Sequence, residues 1–358
     1  MKRTWIILGI WIAAAAGIAV WFLVSMDDQA AEKTVSESAE ESVVPSELSE
    51  EAEKQVSEKA ENGELPPFAL ELLARKQFDG RDLTRGQVLE NNSAYTKYFI
   101  TYKSGELTIS GIMLVPKGEP PAGGWPVLIL NHGHIDTDIY TNGRGLKREQ
   151  DYLARQGFLV IHPDYRNHAA STKTEDDPIQ ERLGYAEDVV NAVYAVRASD
   201  LPVNKEEIGM LGHSMGGGIA ETIMVVRPDL VRAYVLYAPV SMDYRDSFER
   251  WMKEREDVTH EVSTKYGTPE KNPDFWDAIA PAKYADRIAA PVIIYHGAAD
   301  QDVPLAWSQE TYDLLKSQGK NIELTVFPGE RHEFGPRWED FMRGTAAFFR
   351  SHGVGSGK

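Results

Sequence analysis

The sequence predicts an α/β fold: a mostly parallel central sheet with helices on both faces, preceded by a membrane-spanning helix. Three observations predict it. Short apolar runs at residues 127–131, 158–162, 207–211, 233–237 and 291–296 read as buried strands, because a strand covered on both faces needs no polar alternation. Helical stretches at 146–156, 178–198, 217–226 and 305–318 separate them, and strand–helix alternation is the signature of a parallel sheet. Residues 5–24 form an uninterrupted apolar run without a charge.

That first run sets the expected topology. Twenty residues at 1.5 Å each match a bilayer core of about 30 Å. Lys2 and Arg3 precede the run and Asp27 and Asp28 follow it, while Trp5, Trp21 and Phe22 sit near its ends. Basic flanks stay cytoplasmic and aromatics favour the interface. The expectation is a membrane anchor over 1–26, with the N-terminus cytoplasmic and the rest extracytoplasmic; a cleaved signal peptide and a secreted product is the alternative. Residues 27–64 hold thirteen acidic residues against three lysines, so this stretch carries most of the chain's net charge of −17. With few large apolar side chains it reads as a disordered, self-repelling linker, with a partly helical stretch around 47–59.

The domain proper is expected over 65–358. A short amphipathic helix at 66–76 leads into a hairpin of 95–102 and 106–115 around Lys103, Ser104 and Gly105. The sheet continues through the runs already given and ends with 322–327, and residues 344–350 lie in a closing helix. The chain has no cysteine, which excludes disulfides, a thiolate nucleophile and thiolate metal sites. No basic stripe suggests nucleic acid, and no cofactor motif stands out.

The chemistry lies in Gly212-His213-Ser214-Met215-Gly216, a G-x-S-x-G between an apolar strand and a helix. A serine on so sharp a turn has its hydroxyl pushed clear of the sheet, and small flanking residues let neighbouring backbone approach. Serine needs a base, and the base needs an orienting group. Asp300 follows the strand at 291–296, and His332 sits at the tip of the loop after 322–327. Ser214 as nucleophile, His332 as base and Asp300 as orienting acid make the expected triad; Asp302 is the competing acid, read otherwise as the start of the next helix. His213 reads as packing locally and His296 as shaping the Asp300 loop. The expected oxyanion donors are the backbone N–H groups of Met215 and, in the loop after the strand at 127–131, His134, where Gly133 permits close approach. A metal on His132 and His134 is the alternative, with no third ligand suggested by spacing.

With these residues in place, the chain resembles an α/β-hydrolase, and more narrowly the catalytic domain of the prolyl oligopeptidase family of serine peptidases. The most specific stretch runs from Ala280-Pro281-Ala282-Lys283-Tyr284 through His296-Gly297, Asp300 and Val303-Pro304 to His332-Glu333-Phe334. The resemblance implies Ser214, Asp300 and His332 as the triad and hydrolysis of peptide bonds through an acyl-serine. About thirty residues of ordered character precede the first strand, too few for the β-propeller that many members place before this domain. A carboxylesterase of the same fold is the alternative, and a non-catalytic binding protein the remote one. The expected partners are a small ester or short peptide substrate and the lipid bilayer.

One insertion, about 241–290, carries Tyr244, Phe248, Trp251 and Trp276 among many charges. A connection this long is functional or locally helical. It reads as a helical lid whose aromatics line the substrate pocket, or equally as a surface helical hairpin. Tyr165 is a further pocket candidate.

Overall fold

The computed structural model describes residues 68–355, together with 54, 55, 58, 59, 62, 65 and 66. The anchor expected over 1–26, and most of the linker, lie outside the described residues. Among the described residues no helix is long and apolar enough to cross a membrane.

Among the described residues nine strands form one sheet. Its first part is a meander, β1 (Arg81–Asn91), β2 (Tyr95–Ser104) and β3 (Leu107–Pro116), and the remainder is β4 (Trp125–Asn131), β5 (Leu159–Pro163), β6 (Val203–His213), β7 (Tyr234–Tyr237), β8 (Val292–Gly297) and β9 (Ile322–Phe327). The order is β1-β2-β3-β5-β4-β6-β7-β8-β9. The pairs from β1 to β5 through β3 are antiparallel, and every pair from β5/β4 onward is parallel. Strands β4, β5, β7 and β8 are buried at every residue, as continuous apolar runs require.

The sequence reading missed β1. Its residues are almost all exposed, so no apolar face marks it; it is an edge strand rich in charge, and edge strands resist further pairing that way. The hairpin turn also falls one residue later than expected. Ser104 pairs with Leu107, and Gly105 takes φ +56° in the two-residue turn between them, as such turns demand.

Helices α1 (Leu70–Arg75), α3 (Pro178–Ala198) and α4 (Met215–Val226) cover one face, and α2 (Lys147–Arg155) and α9 (Trp338–Ser351) the other; α8 (Leu305–Ser317) packs against β8 and β9. α3 starts where Asp177 accepts from the N–H groups of Ile179 and Gln180, with Pro178 in the first turn, a strong start signal. The insertion is mostly helical: α5 (Tyr244–Ser247), one π-helical turn (Phe248–Met252), α6 (Glu256–Tyr266), α7 (Pro273–Ile279) and a 3-10 segment (Pro281–Arg287).

Because β4, β6, β7, β8 and β9 run parallel, their C-terminal ends share one edge. Chain direction along the sheet reverses at β4, and in open α/β sheets ligands bind beyond the carboxyl ends of the strands near such a reversal. The loops holding Gly133 and His134, Ser214, Asp300 and His332 all leave from that edge.

Candidate active site

Ser214 has φ +56° and ψ −120°. A non-glycine residue there is strained, at a cost of order 1–3 kcal/mol, and the surroundings hold it in place. Its N–H donates to the Tyr237 carbonyl at 2.9 Å, and its carbonyl accepts from Gly217 at 2.9 Å. The flanking glycines are obligatory. A Cβ on Gly212 would lie 2.3 Å from the Gly216 carbonyl oxygen, and one on Gly216 2.1 Å from that of Asn131. A Cβ on Gly133 would lie 3.1 Å from Ser214 Cβ, so the loop after β4 reaches the serine. Ser214 precedes the first turn of α4, whose exposed N–H groups favour negative charge.

Asp300 accepts four hydrogen bonds. Its Oδ1 receives the N–H groups of Asp302 (2.9 Å) and Val303 (3.0 Å). Its Oδ2 receives His332 Nδ1 (2.8 Å) and His296 Nε2 (3.1 Å). Burial pushes the Asp300 carboxyl upward, but the two imidazole donors and the Val303 N–H outweigh it and hold the group well below the usual carboxylate range. Asp302 therefore supplies only a backbone donor; its exposed side chain is not the acid. With Nδ1–H committed to Asp300, His332 presents an unprotonated Nε2. No hydrogen bond joins Ser214 to His332; both line one cavity of about 550 Å³. Hydrolase sites commonly close that contact only around substrate.

Two further histidines act as supports. His296 is fully buried; Nδ1 faces Ser308 Oγ at 2.7 Å, and Nε2 faces the Val303 carbonyl at 3.1 Å as well as Asp300. Since both partners of Nε2 are acceptors, the proton sits there. His213 packs its ring against Tyr237 (4.4 Å) and His332 (4.6 Å) and donates to the His332 carbonyl at 3.3 Å. Burial and the neighbouring His332 push its pKa down to about 3, so it is a neutral prop under the His332 loop. Ligand atoms of Asp300, Asp302 and His332 lie within 4.8 Å of one another. The Asp300 oxygens are already filled by N–H donors, which a cation would have to displace.

The cavity is lined by His134 and Met215, the expected oxyanion donors, by Gly133 beside them, and by Val240, Ser247, Trp251, Met252, Arg182 and Arg255. Of the aromatic candidates, only Trp251 lines it. Phe248 and Trp276 are 2 % and 0 % exposed and pack on each other at 5.0 Å; they are the core of the insertion. Tyr244 is also buried and lines a small recess that adjoins the cavity through Arg182, Val240, Ser247 and Met252. Tyr165 is fully buried between His132 (4.2 Å) and Tyr185 (5.0 Å), and its hydroxyl donates to the His132 carbonyl. Phe248, Trp276 and Tyr165 stay out of the cavity for one reason: an aromatic side chain gains more by burying its whole ring than by lining water. His132 is fully buried in the same stack and has no access to a metal shared with His134. Arg182, on α3, and Arg255, just before α6, were missed because a charged residue on a helix or in a turn gives no sign of facing a site.

A family model of the prolyl oligopeptidase family matches residues 145–352. The chain is 27% identical over 241 residues to the uncharacterized peptidase YtmA of Bacillus subtilis, covering 67% of this chain and 87% of that protein. It is 22% identical to dipeptidyl peptidase 8 of Mus musculus over 63% of this chain, but only 25% of that protein. Among solved structures, acetyl xylan esterase from Paenibacillus sp. R4 superposes with a TM-score of 0.62 at 19% identity, covering 79% of this chain and 92% of that one. The acylaminoacyl peptidase of Pyrococcus horikoshii gives 0.58 at 20% identity, over 73% of this chain and 42% of that one. At such identities the superpositions carry the fold alone; the family match carries the class. The chain is a serine hydrolase and belongs to the prolyl oligopeptidase family.

Proposed function

We propose that this chain is a membrane-tethered, extracytoplasmic serine hydrolase that cleaves peptide or ester bonds through an acyl-serine intermediate. The observation that carries the chemistry is the hydrogen bond from His332 Nδ1 to the ionised Asp300, in a cavity that also holds the strained Ser214. The anchor rests on the basic flank and apolar run of residues 2–24.

In this reading Ser214 Oγ attacks a carbonyl carbon while His332 Nε2 takes its proton. Negative charge develops on the substrate oxygen and is met by the N–H groups of Met215 and His134. One such donor is worth roughly 10²–10³ in rate. The tetrahedral intermediate collapses as His332 returns its proton to the leaving amine or alcohol. Water, deprotonated by His332, then attacks the acyl-serine and releases the acid. Asp300 fixes the tautomer throughout and stabilises the imidazolium.

The peptidase reading is supported by the family and by the peptidases among its relatives. The esterase reading is supported by the acetyl xylan esterases among the proteins of similar fold. A panel of aryl esters against prolyl and aminoacyl amides divides the two by kcat/KM. A fluorophosphonate probe should label Ser214, and Ser214→Ala should remove both labelling and turnover with an unchanged melting temperature. Turnover surviving in that variant would point to another nucleophile.

A further inference from the structure

We propose that Arg182 is a specificity-determining residue that anchors a carboxylate on the acyl part of the substrate, so that the enzyme prefers acidic acyl groups over neutral ones. This rests on the acyl-serine reading above and names its substrate class.

The chain carries a net charge of −17, yet its cavity holds two uncommitted guanidinium groups. Arg182 and Arg255 line it with Ser214 and His332, and among the described residues neither makes an ion pair or a side-chain hydrogen bond. Other arginines close to the site are engaged. Arg166 is held by Asp188 at 2.9 Å, Arg148 by the Phe334 carbonyl at 2.8 Å, and Arg250 by the carbonyls of Gln301 and Asp302 at 2.8 Å.

Among the described residues none of the carboxyl groups near Arg182 pairs with it: Glu221, buried behind Gly218 of the same recess, makes no hydrogen bond or ion pair at all, and the others are committed elsewhere. Glu181 accepts from Asn167 at 2.7 Å, and Asp177 caps α3 and pairs with Lys265 at 2.7 Å. Asp302 and Glu333 line the same cavity, but both are exposed and flank His332 rather than pairing with an arginine. Arg255 is exposed at the rim, whereas Arg182 is half-buried. A partly desolvated guanidinium without a counter-ion is costly, and its planar fork fits a carboxylate bidentately.

Position selects the acyl side. Arg182 borders the recess of the lid together with Val240, Ser247 and Met252, and His332 takes no part in that recess. The leaving group must lie by His332, which protonates it. On the His332 side the cleft continues into a second space of about 410 Å³, where Arg144, Lys147 and Arg148 outnumber Glu149 and Glu333. Its cations add to a positive field that would draw an anionic substrate into the cleft.

The test compares p-nitrophenyl monoesters of four- to eight-carbon dicarboxylic acids with p-nitrophenyl esters of monocarboxylic acids of equal length. A charge-assisted bidentate contact contributes about 1.5–3 kcal/mol, so wild-type kcat/KM should favour the acidic member by about ten- to a hundredfold at the best length. Arg182→Gln should bring that ratio close to one, acting through KM for the acidic ester, and Arg182→Lys should restore part of it. Calorimetry with adipate gives a measure independent of turnover: binding should weaken about tenfold or more in Arg182→Gln. A wild-type ratio of one or less at every length, equal adipate binding by the two proteins, or loss of the preference in Arg255→Gln instead would overturn the proposal. Fluorophosphonate labelling of Ser214 separates the two failures. A protein that labels and cleaves neutral esters without regard to charge defeats the anchor alone; one that neither labels nor cleaves any ester defeats the acyl-serine reading.

Discussion

Two aspartates in this fold have nearly the same local chemistry and opposite uses. Asp300 and Asp164 each leave the C-terminal end of a strand, and each accepts four hydrogen bonds. The donors to Asp164 are Ser110 Oγ (2.6 Å), Tyr140 Oη (2.8 Å), Asn142 Nδ2 (2.7 Å) and the Gly143 N–H (2.8 Å). Both stand beside a histidine cluster: His213, His296 and His332 for one, His132, His162 and His168 for the other. The difference is in who the donors are and what they touch. Every donor to Asp164 is a hydroxyl, amide or backbone group, and its histidines are buried. Burial pushes His162 down to about 4, and burial with its two histidine neighbours pushes His132 lower than usual, so both stay neutral. One donor to Asp300 is His332, which is partly open to the cavity. A buried carboxylate saturated by fixed groups pins a loop; one that shares an imidazole with a cavity can stabilise a charge that appears during a reaction.

Four substitutions would break or sharpen this contrast. The largest effect belongs to Asp300→Asn, which should lower kcat by roughly 10⁴-fold, the scale of losing the correct tautomer, while chemical denaturation shows a fold close to wild type. Next is Asp164→Asn, with the opposite profile: kcat within about tenfold of wild type, but stability reduced by about 2–3 kcal/mol in urea melts, because buried donors lose a charged acceptor. Equal kinetic losses in the two variants would erase the distinction. His296→Phe removes one donor to Asp300 without touching His332. A loss of about ten- to a hundredfold in kcat, with KM unchanged, is expected; unchanged kcat would show that His332 alone fixes the carboxylate.

The smallest effect concerns a third carboxyl, Glu221 on α4, which is fully buried and has no hydrogen-bond partner for either oxygen. Burial raises its pKa far above the ordinary value. Unfolded, the group ionises near pH 4.3, while folded it keeps its proton to much higher pH. The unfolded state is therefore favoured progressively as pH rises above about 4.3. Glu221→Gln should match wild type at pH 4 and exceed it by about 1 kcal/mol or more at pH 8, read from paired denaturation curves. Parallel curves at both pH values would mean that Glu221 finds a partner in solution.

The elements that were legible in the sequence share a cause. Strands β4 and β8 and the C-terminal half of β6 are buried on both faces and read as apolar runs, so the loops after them, with Ser214 and Asp300, could be located; β9 and its His332 loop followed by alternation and order. Strand β1 was illegible because an exposed edge carries no apolar face. The pocket was only partly legible: of Tyr165, Tyr244, Phe248, Trp251 and Trp276, Trp251 alone reaches the cavity. An aromatic among charges signals burial somewhere, without saying whether in core or cleft. Arg182 gave no signal, since an unpaired cation is defined only by the carboxylates that fold away from it.

By itself, the sequence determined the alternation of strands and helices in the parallel half, the elbow, and which loops bear the serine, acid and histidine. Each of these follows from periodicity and local turn chemistry, which act over a few residues. Tertiary structure alone decided that His296 reaches the Asp300 carboxylate itself and that His213 packs on the His332 ring, that most of the insertion's rings are core, and that a guanidinium faces the cleft without a partner. Those outcomes depend on the mutual approach of segments separated by tens to hundreds of residues, where packing and charge pairing compete and no local pattern records the winner.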